Sequence, residues 1–66
     1  MTIIVNGKTE QIEEEATLLD FLASKSLDPE KVVVELNLDI IARENLKDTL
    51  LKENDSLEIL RFVGGG

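Results

Sequence analysis

The sequence predicts an α+β fold, a mixed sheet of four to five strands with one main helix packed across it. Three observations carry that prediction. A short β-branched run, Ile3-Ile4-Val5, meets Asn6-Gly7 at once, and Asn-Gly supplies the two positive φ angles that a type I′ hairpin turn requires. Leu18, Leu19, Phe21 and Leu22 then recur at helical spacing, the pattern of a helix with one buried face. Two further apolar segments, residues 32–36 and 56–63, read as strands on the far side of that helix. A helix that crosses between strands of one sheet gives a two-layer domain.

Each element has a local reason. The hairpin covers residues 2–13, and its second strand has Ile12 as its one large apolar residue, which suits an edge or half-exposed position. Thr17 offers an N-cap oxygen, and Asp20, three residues on, stands in for the capping-box glutamate. The helix is expected over residues 18–25, where Lys25 suits the negative end of its dipole. Asp28-Pro29 reads as a cap followed by a first helical position, enough for a single turn. Val32-Val33-Val34 predicts the strongest strand, buried on both faces or nearly so. Asn37-Leu38-Asp39 turns into a short strand at Ile40-Ile41. Residues 42–52 are ambiguous, with Leu46, Leu50 and Leu51 at helical spacing over a turn or two. Asn54-Asp55 breaks the chain before the last strand.

Composition removes whole classes of chemistry. Sixty-six residues make one small domain, and a chain this short buries only about 60% of the surface its unfolded form exposes. Its stability should lie near 3–10 kcal/mol, at roughly 0.05–0.15 kcal/mol per residue. The chain has no cysteine and no histidine, so disulfides, thiolate metal sites and the usual general base are all excluded. Ser24, Ser26 and Ser56 therefore have no base to activate them, and neither an enzyme nor a metal site is expected. Fourteen acidic against seven basic residues give a net charge of −7, which repels a phosphate backbone and argues against nucleic acid. Glu13-Glu14-Glu15 reads as a solvated run. No apolar run approaches the roughly 20 residues of a membrane span, and no secretory leader is visible, so a cytoplasmic protein is expected.

The last three residues are Gly64-Gly65-Gly66. At an average glycine usage of about 7%, three in a row at a chosen end arise by chance about once in 3,000. With no histidine or cysteine elsewhere, this stretch is the candidate reactive site. It divides the chain into a folded domain over residues 1–63 and a flexible glycine tail over residues 64–66. Alternation in the last strand sets Leu57, Ile59, Arg61 and Val63 on one face, and Glu58, Leu60 and Phe62 on the other. If the helix covers Leu57 and Ile59, then Leu60 and Phe62 face outward just before the tail, where an exposed apolar cluster can dock a partner. Arg61 either pairs with an acidic partner or snorkels at the strand end.

These features together resemble a known family. The Ile-x-Val-Asn-Gly type hairpin at residues 3–7, Val34-Glu35-Leu36-Asn37, Ile41-Ala42-Arg43-Glu44 and Phe62-Val63-Gly64-Gly65-Gly66 recur together in ThiS, the sulfur-carrier family of thiamine (thiazole) biosynthesis. The family often has proline where Ala42 stands, and Gly-Asp where Asn54-Asp55 stands. The resemblance implies a ubiquitin-like β-grasp fold, with the last strand lying centrally beside the first. It also implies a carrier rather than an enzyme, with no bound cofactor. An E1-like adenylating enzyme of the ThiF type would use ATP to activate the Gly66 carboxylate. A sulfur donor protein would convert it to a thiocarboxylate, and a thiazole synthase of the ThiG type would receive the sulfur. Gly64 and Gly65 would thread the partner, while Leu60, Phe62 and Arg61 would touch it. Three other readings are compatible with the sequence: the small subunit of molybdopterin synthase, which uses the same fold and terminus, a protein-conjugating ubiquitin-like modifier, and a non-catalytic β-grasp interaction domain.

Overall fold

A computed structural model describes residues 1–62. Residue 63 and the glycine tail over residues 64–66 lie outside the described residues, as do the tail's expected flexibility and threading role. The chain opens with β1 (Thr2–Val5) and β2 (Lys8–Gln11), joined by Asn6 and Gly7 at φ of 50° and 83°. Both angles are positive, as a type I′ turn demands. Strand β2 stops short of the expected residue 13, although Ile12 still donates its amide to the Met1 carbonyl at 2.8 Å.

Helix α1 (Leu18–Ser24) starts where its cap dictates. The Thr17 hydroxyl accepts from the Asp20 amide at 3.0 Å, and the Asp20 carboxylate accepts from the Thr17 amide at 3.0 Å. Two otherwise orphaned donors are thus satisfied reciprocally. The bond from the Thr17 backbone, with a smaller contribution from its side chain, holds the Asp20 carboxyl below its ordinary range. At the other end Ser26 turns left-handed at φ 58°, the Ser26 amide bonds Ala23, and the Leu27 amide bonds Leu22. That is a Schellman closure with serine in the usual glycine place. Lys25 caps the helix rather than extending it. Its ammonium pairs with Glu10 at 2.6 Å and lies 5.7 Å from the Phe21 ring centroid.

After a 3₁₀ turn at Pro29–Lys31, capped by Asp28, come β3 (Val32–Leu36), β4 (Asp39–Ile41) and β5 (Ser56–Arg61). The sheet order is β2-β1-β5-β3-β4. Strand β5 runs parallel to β1 and antiparallel to β3, so it occupies the centre. One helix lies across a five-stranded mixed sheet, the β-grasp arrangement that the resemblance implies. Ile3, Val5, Val34, Leu57 and Ile59 from the sheet meet Leu18, Phe21 and Leu22 from the helix in one core, closed at one side by Leu46 and Leu51.

Two expectations fail, and one ambiguous stretch resolves, for physical reasons. The valine run is not buried on both faces: Val34 is 2% exposed but Val33 is 39% exposed, because the single helix covers only one side of the sheet. Residues 43–48 form a 3₁₀ helix, Arg43–Asp48, that buries Leu46 alone. The chain then becomes extended at Thr49, so consecutive residues alternate: Leu51 is buried and Leu50 is exposed despite its helical spacing. Leu19 also falls outside the core stripe, at the rim of the helix face. The two departures from the family pattern are conformationally neutral. Ala42 keeps φ −63°, the angle proline would impose. Asn54 sits at φ 69°, a left-handed position that asparagine tolerates better than most residues.

Candidate functional site

The site is the C-terminal end of β5 and the sheet face around it. Leu57 and Ile59 are buried under α1 at 0% and 8% exposure, whereas Leu60 and Phe62 are 67% and 47% exposed. The alternation read from the sequence therefore holds through the strand, and the apolar pair does face solvent next to the glycines. Arg61 is exposed and takes part in no ion pair among the described residues. Gly64, Gly65 and Gly66 lie outside the described residues, which end at Phe62.

Strand β5 is fastened at two places by a pair of asparagines that sequence reasoning treated only as turn residues. Strand β1 ends at Val5, leaving β5 with no strand neighbour at Ile59 on that side. Asn6 replaces it. Its side-chain carbonyl accepts from the Ile59 amide at 2.8 Å, and its amide group donates to the Ile59 carbonyl at 3.3 Å. At the other end of β5, Asn37 accepts from the Ser56 amide at 2.9 Å and donates to Asp55 at 3.0 Å. Both asparagines hold φ of 50°, so each serves as a turn residue and a strand clasp together. Beyond β5, the Phe62 amide donates to the Lys31 carbonyl at 3.2 Å. The last strand is thus fastened along its length up to the residue before the undescribed segment.

Elsewhere the chain offers little chemistry. A groove of about 530 Å³ on the helix side is lined by Glu10, Glu13, Glu14, Glu15 and Asp20 among others, but Asp20 is committed to its cap and Glu10 to Lys25. Among the described residues, no three metal-ligating side chains converge and no helix is long and apolar enough to cross a membrane.

The family model of ThiS matches residues 3–66, a span that includes the glycines. The chain belongs to the ThiS family. Among its relatives, a sulfur carrier protein ThiS of Bacillus subtilis is 40% identical over 63 residues, covering 94% of this chain and 96% of that protein. Thiazole synthases of Paramagnetospirillum magneticum and Magnetococcus marinus are 32% and 36% identical across the whole chain. This ThiS-family chain spans only about one fifth of the length of those two synthases, 20% in each case. In structure it is similar to a thiamine biosynthesis protein (ThiS) from Geobacter metallireducens, at 35% identity. The TM-score against the crystal structure is 0.86 with both chains covered completely. Against the solution structure it is 0.82, with 88% of that chain covered.

Proposed function

We propose that this chain carries sulfur for thiazole formation in thiamine biosynthesis, and that it does so as a cosubstrate of partner enzymes rather than as an enzyme. The observation that supports this reading most directly is the family match running through Gly64-Gly65-Gly66. The Bacillus subtilis relative, a sulfur carrier by name and of nearly the same length, points the same way.

The chemistry explains why a glycine tail suits the task. A terminal carboxylate has a pKa near 3.3–3.7 and is ionised at neutral pH, which makes it a poor electrophile. In an adenylating enzyme of the ThiF type, the Gly66 carboxylate attacks the α-phosphorus of ATP and pyrophosphate leaves. Hydrosulfide supplied by a sulfur donor protein then attacks the acyl carbon and AMP departs. A thiocarboxylate remains, one sulfur in place of one oxygen. Its soft sulfur is the nucleophile offered to a thiazole synthase of the ThiG type. Every catalytic group belongs to the partners, in keeping with a chain that lacks histidine and cysteine. Side-chain-free residues thread a narrow channel where larger ones clash. Ordering them costs of order 1–2 kcal/mol each, and docking through Leu60 and Phe62 supplies binding energy to offset that.

Intact mass after incubation with ATP, sulfide and an adenylating enzyme tests the reading. The expected result is a gain equal to exchanging one oxygen for one sulfur, placed at the terminal glycine by fragmentation. No gain with any such enzyme would sink it. For the docking role, the double variant Leu60→Ser/Phe62→Ser should weaken complex formation with the adenylating enzyme or the synthase. Its melting temperature should stay close to that of the unaltered chain, since both side chains are exposed already. A large drop in melting temperature would place them in the folding core instead.

A further inference from the structure

The uncovered face of the sheet carries a charge arrangement that works against stability. In the antiparallel β3–β5 pair, Val33 stands opposite Leu60 and Glu35 opposite Glu58, while Ile40 of β4 stands opposite Glu35. Val34, Leu57 and Ile59 are the buried positions, so strict alternation turns Val33, Glu35, Ile40, Glu58 and Leu60 away from α1. Two carboxylates directly across a ladder repel one another. Neither belongs to an ion pair among the described residues, whose pairs are Met1–Glu14, Lys25–Glu10 and Lys47–Asp48. The other strand residues turned to this side, Thr2, Ile4, Thr9, Gln11 and Ser56, carry no charge. No basic strand residue on this face relieves the repulsion.

The surroundings are apolar. Val33 is 39%, Leu60 67% and Ile40 71% exposed, and they flank the two glutamates along and across the strands. Like charges set inside an apolar border violate local pairing rules, and such violations are expected where a surface has a task. A border of this kind excludes water from a charged contact once a partner seats on it.

We propose that this face docks a thiazole synthase through a single arginine that bridges Glu35 and Glu58 inside the border formed by Val33, Ile40 and Leu60. The proposal rests on the carrier reading, which requires a partner to hold the sheet while the tail is threaded. An arginine fits because its planar guanidinium presents five donors and serves two carboxylates at once. A second copy of this chain is the wrong occupant. It would bring four carboxylates together between two bodies that each carry −7.

Calorimetric titration of the full chain with purified thiazole synthase tests this, at low and high salt. Glu35→Gln and Glu58→Gln should each raise the melting temperature by about 1–5 °C as the cross-strand repulsion is lifted. Each should also weaken binding about tenfold and flatten its salt dependence. Glu13→Gln removes the same unit of charge from an exposed site and should change neither quantity. Binding by Glu58→Gln as tight as that of the unaltered chain overturns the proposal and leaves the carrier reading intact. So does an unaltered chain that gains sulfur but does not bind the synthase, or one that dimerises through this face in sedimentation. A chain that gains no sulfur from any adenylating enzyme overturns the carrier reading and this proposal together.

Discussion

A chain shortened by Gly66 alone should gain sulfur at least 100-fold more slowly, although it still ends in a glycine carboxylate. The variant is informative because so little else changes. Gly65 would present the same functional group, with the same ionisation and the same susceptibility to adenylation. The apolar residues Leu60 and Phe62 and the whole folded body would be untouched. What changes is reach: one residue of extended chain spans about 3.3–3.6 Å. A reacting atom displaced by even 1 Å can lose about 100-fold in rate, so a deficit of a full residue should all but stop transfer. The measurement is the rate of sulfur gain by intact mass, paired with a titration against the adenylating enzyme. Binding should persist within a few-fold while turnover vanishes. Equal rates for the two chains would mean that the carboxylate is not positioned by tail length, and the threading role of Gly64 and Gly65 would fall.

Much of this architecture was legible because its signals are local. Asn6-Gly7 specified a turn whose two φ angles are both positive. Thr17 and Asp20 specified a helix start, and the capping box closes in both directions. The alternation Leu57, Glu58, Ile59, Leu60 specified which side of β5 is buried. The features that escaped depend on partners far along the chain. Val33 is exposed because none of the described residues covers the second face of the sheet, a fact no valine run can declare. The 3₁₀ helix at Arg43–Asp48 lacks a periodicity distinct from a short α-helical turn. The opposition of Glu35 and Glu58 exists only once β3 pairs with β5 in a given register. The asparagine clasps join residues 53 and 19 positions apart. The one available signal was the choice of asparagine, rather than aspartate or glycine, as first residue of both turns, since only an amide both donates and accepts.

Asn6→Ala should cost about 2–3 kcal/mol, combining two lost hydrogen bonds with a left-handed backbone that alanine adopts poorly. That is a large share of the roughly 3–10 kcal/mol available to a domain of this size. The two contributions separate experimentally. Asn6→Gly keeps the φ of 50° comfortable and loses only the clasp, so its cost in urea unfolding should be the smaller of the two. Asn6→Asp keeps the acceptor for the Ile59 amide but sets a carboxylate against the Ile59 carbonyl, now without a donor. It should fall between the unaltered chain and alanine, and worsen as pH rises through the carboxyl pKa. In the alanine and glycine variants the Ile59 amide should exchange faster with solvent than the amide of residue 6, whose 2.8 Å bond to the Leu57 carbonyl is made by backbone. If Asn6→Gly proves as stable as the unaltered chain, the side chain is not what fastens this end of β5. If it is markedly less stable and also gains sulfur more slowly at temperatures where it remains folded, then the same asparagine that turns the hairpin aims the strand that delivers the tail.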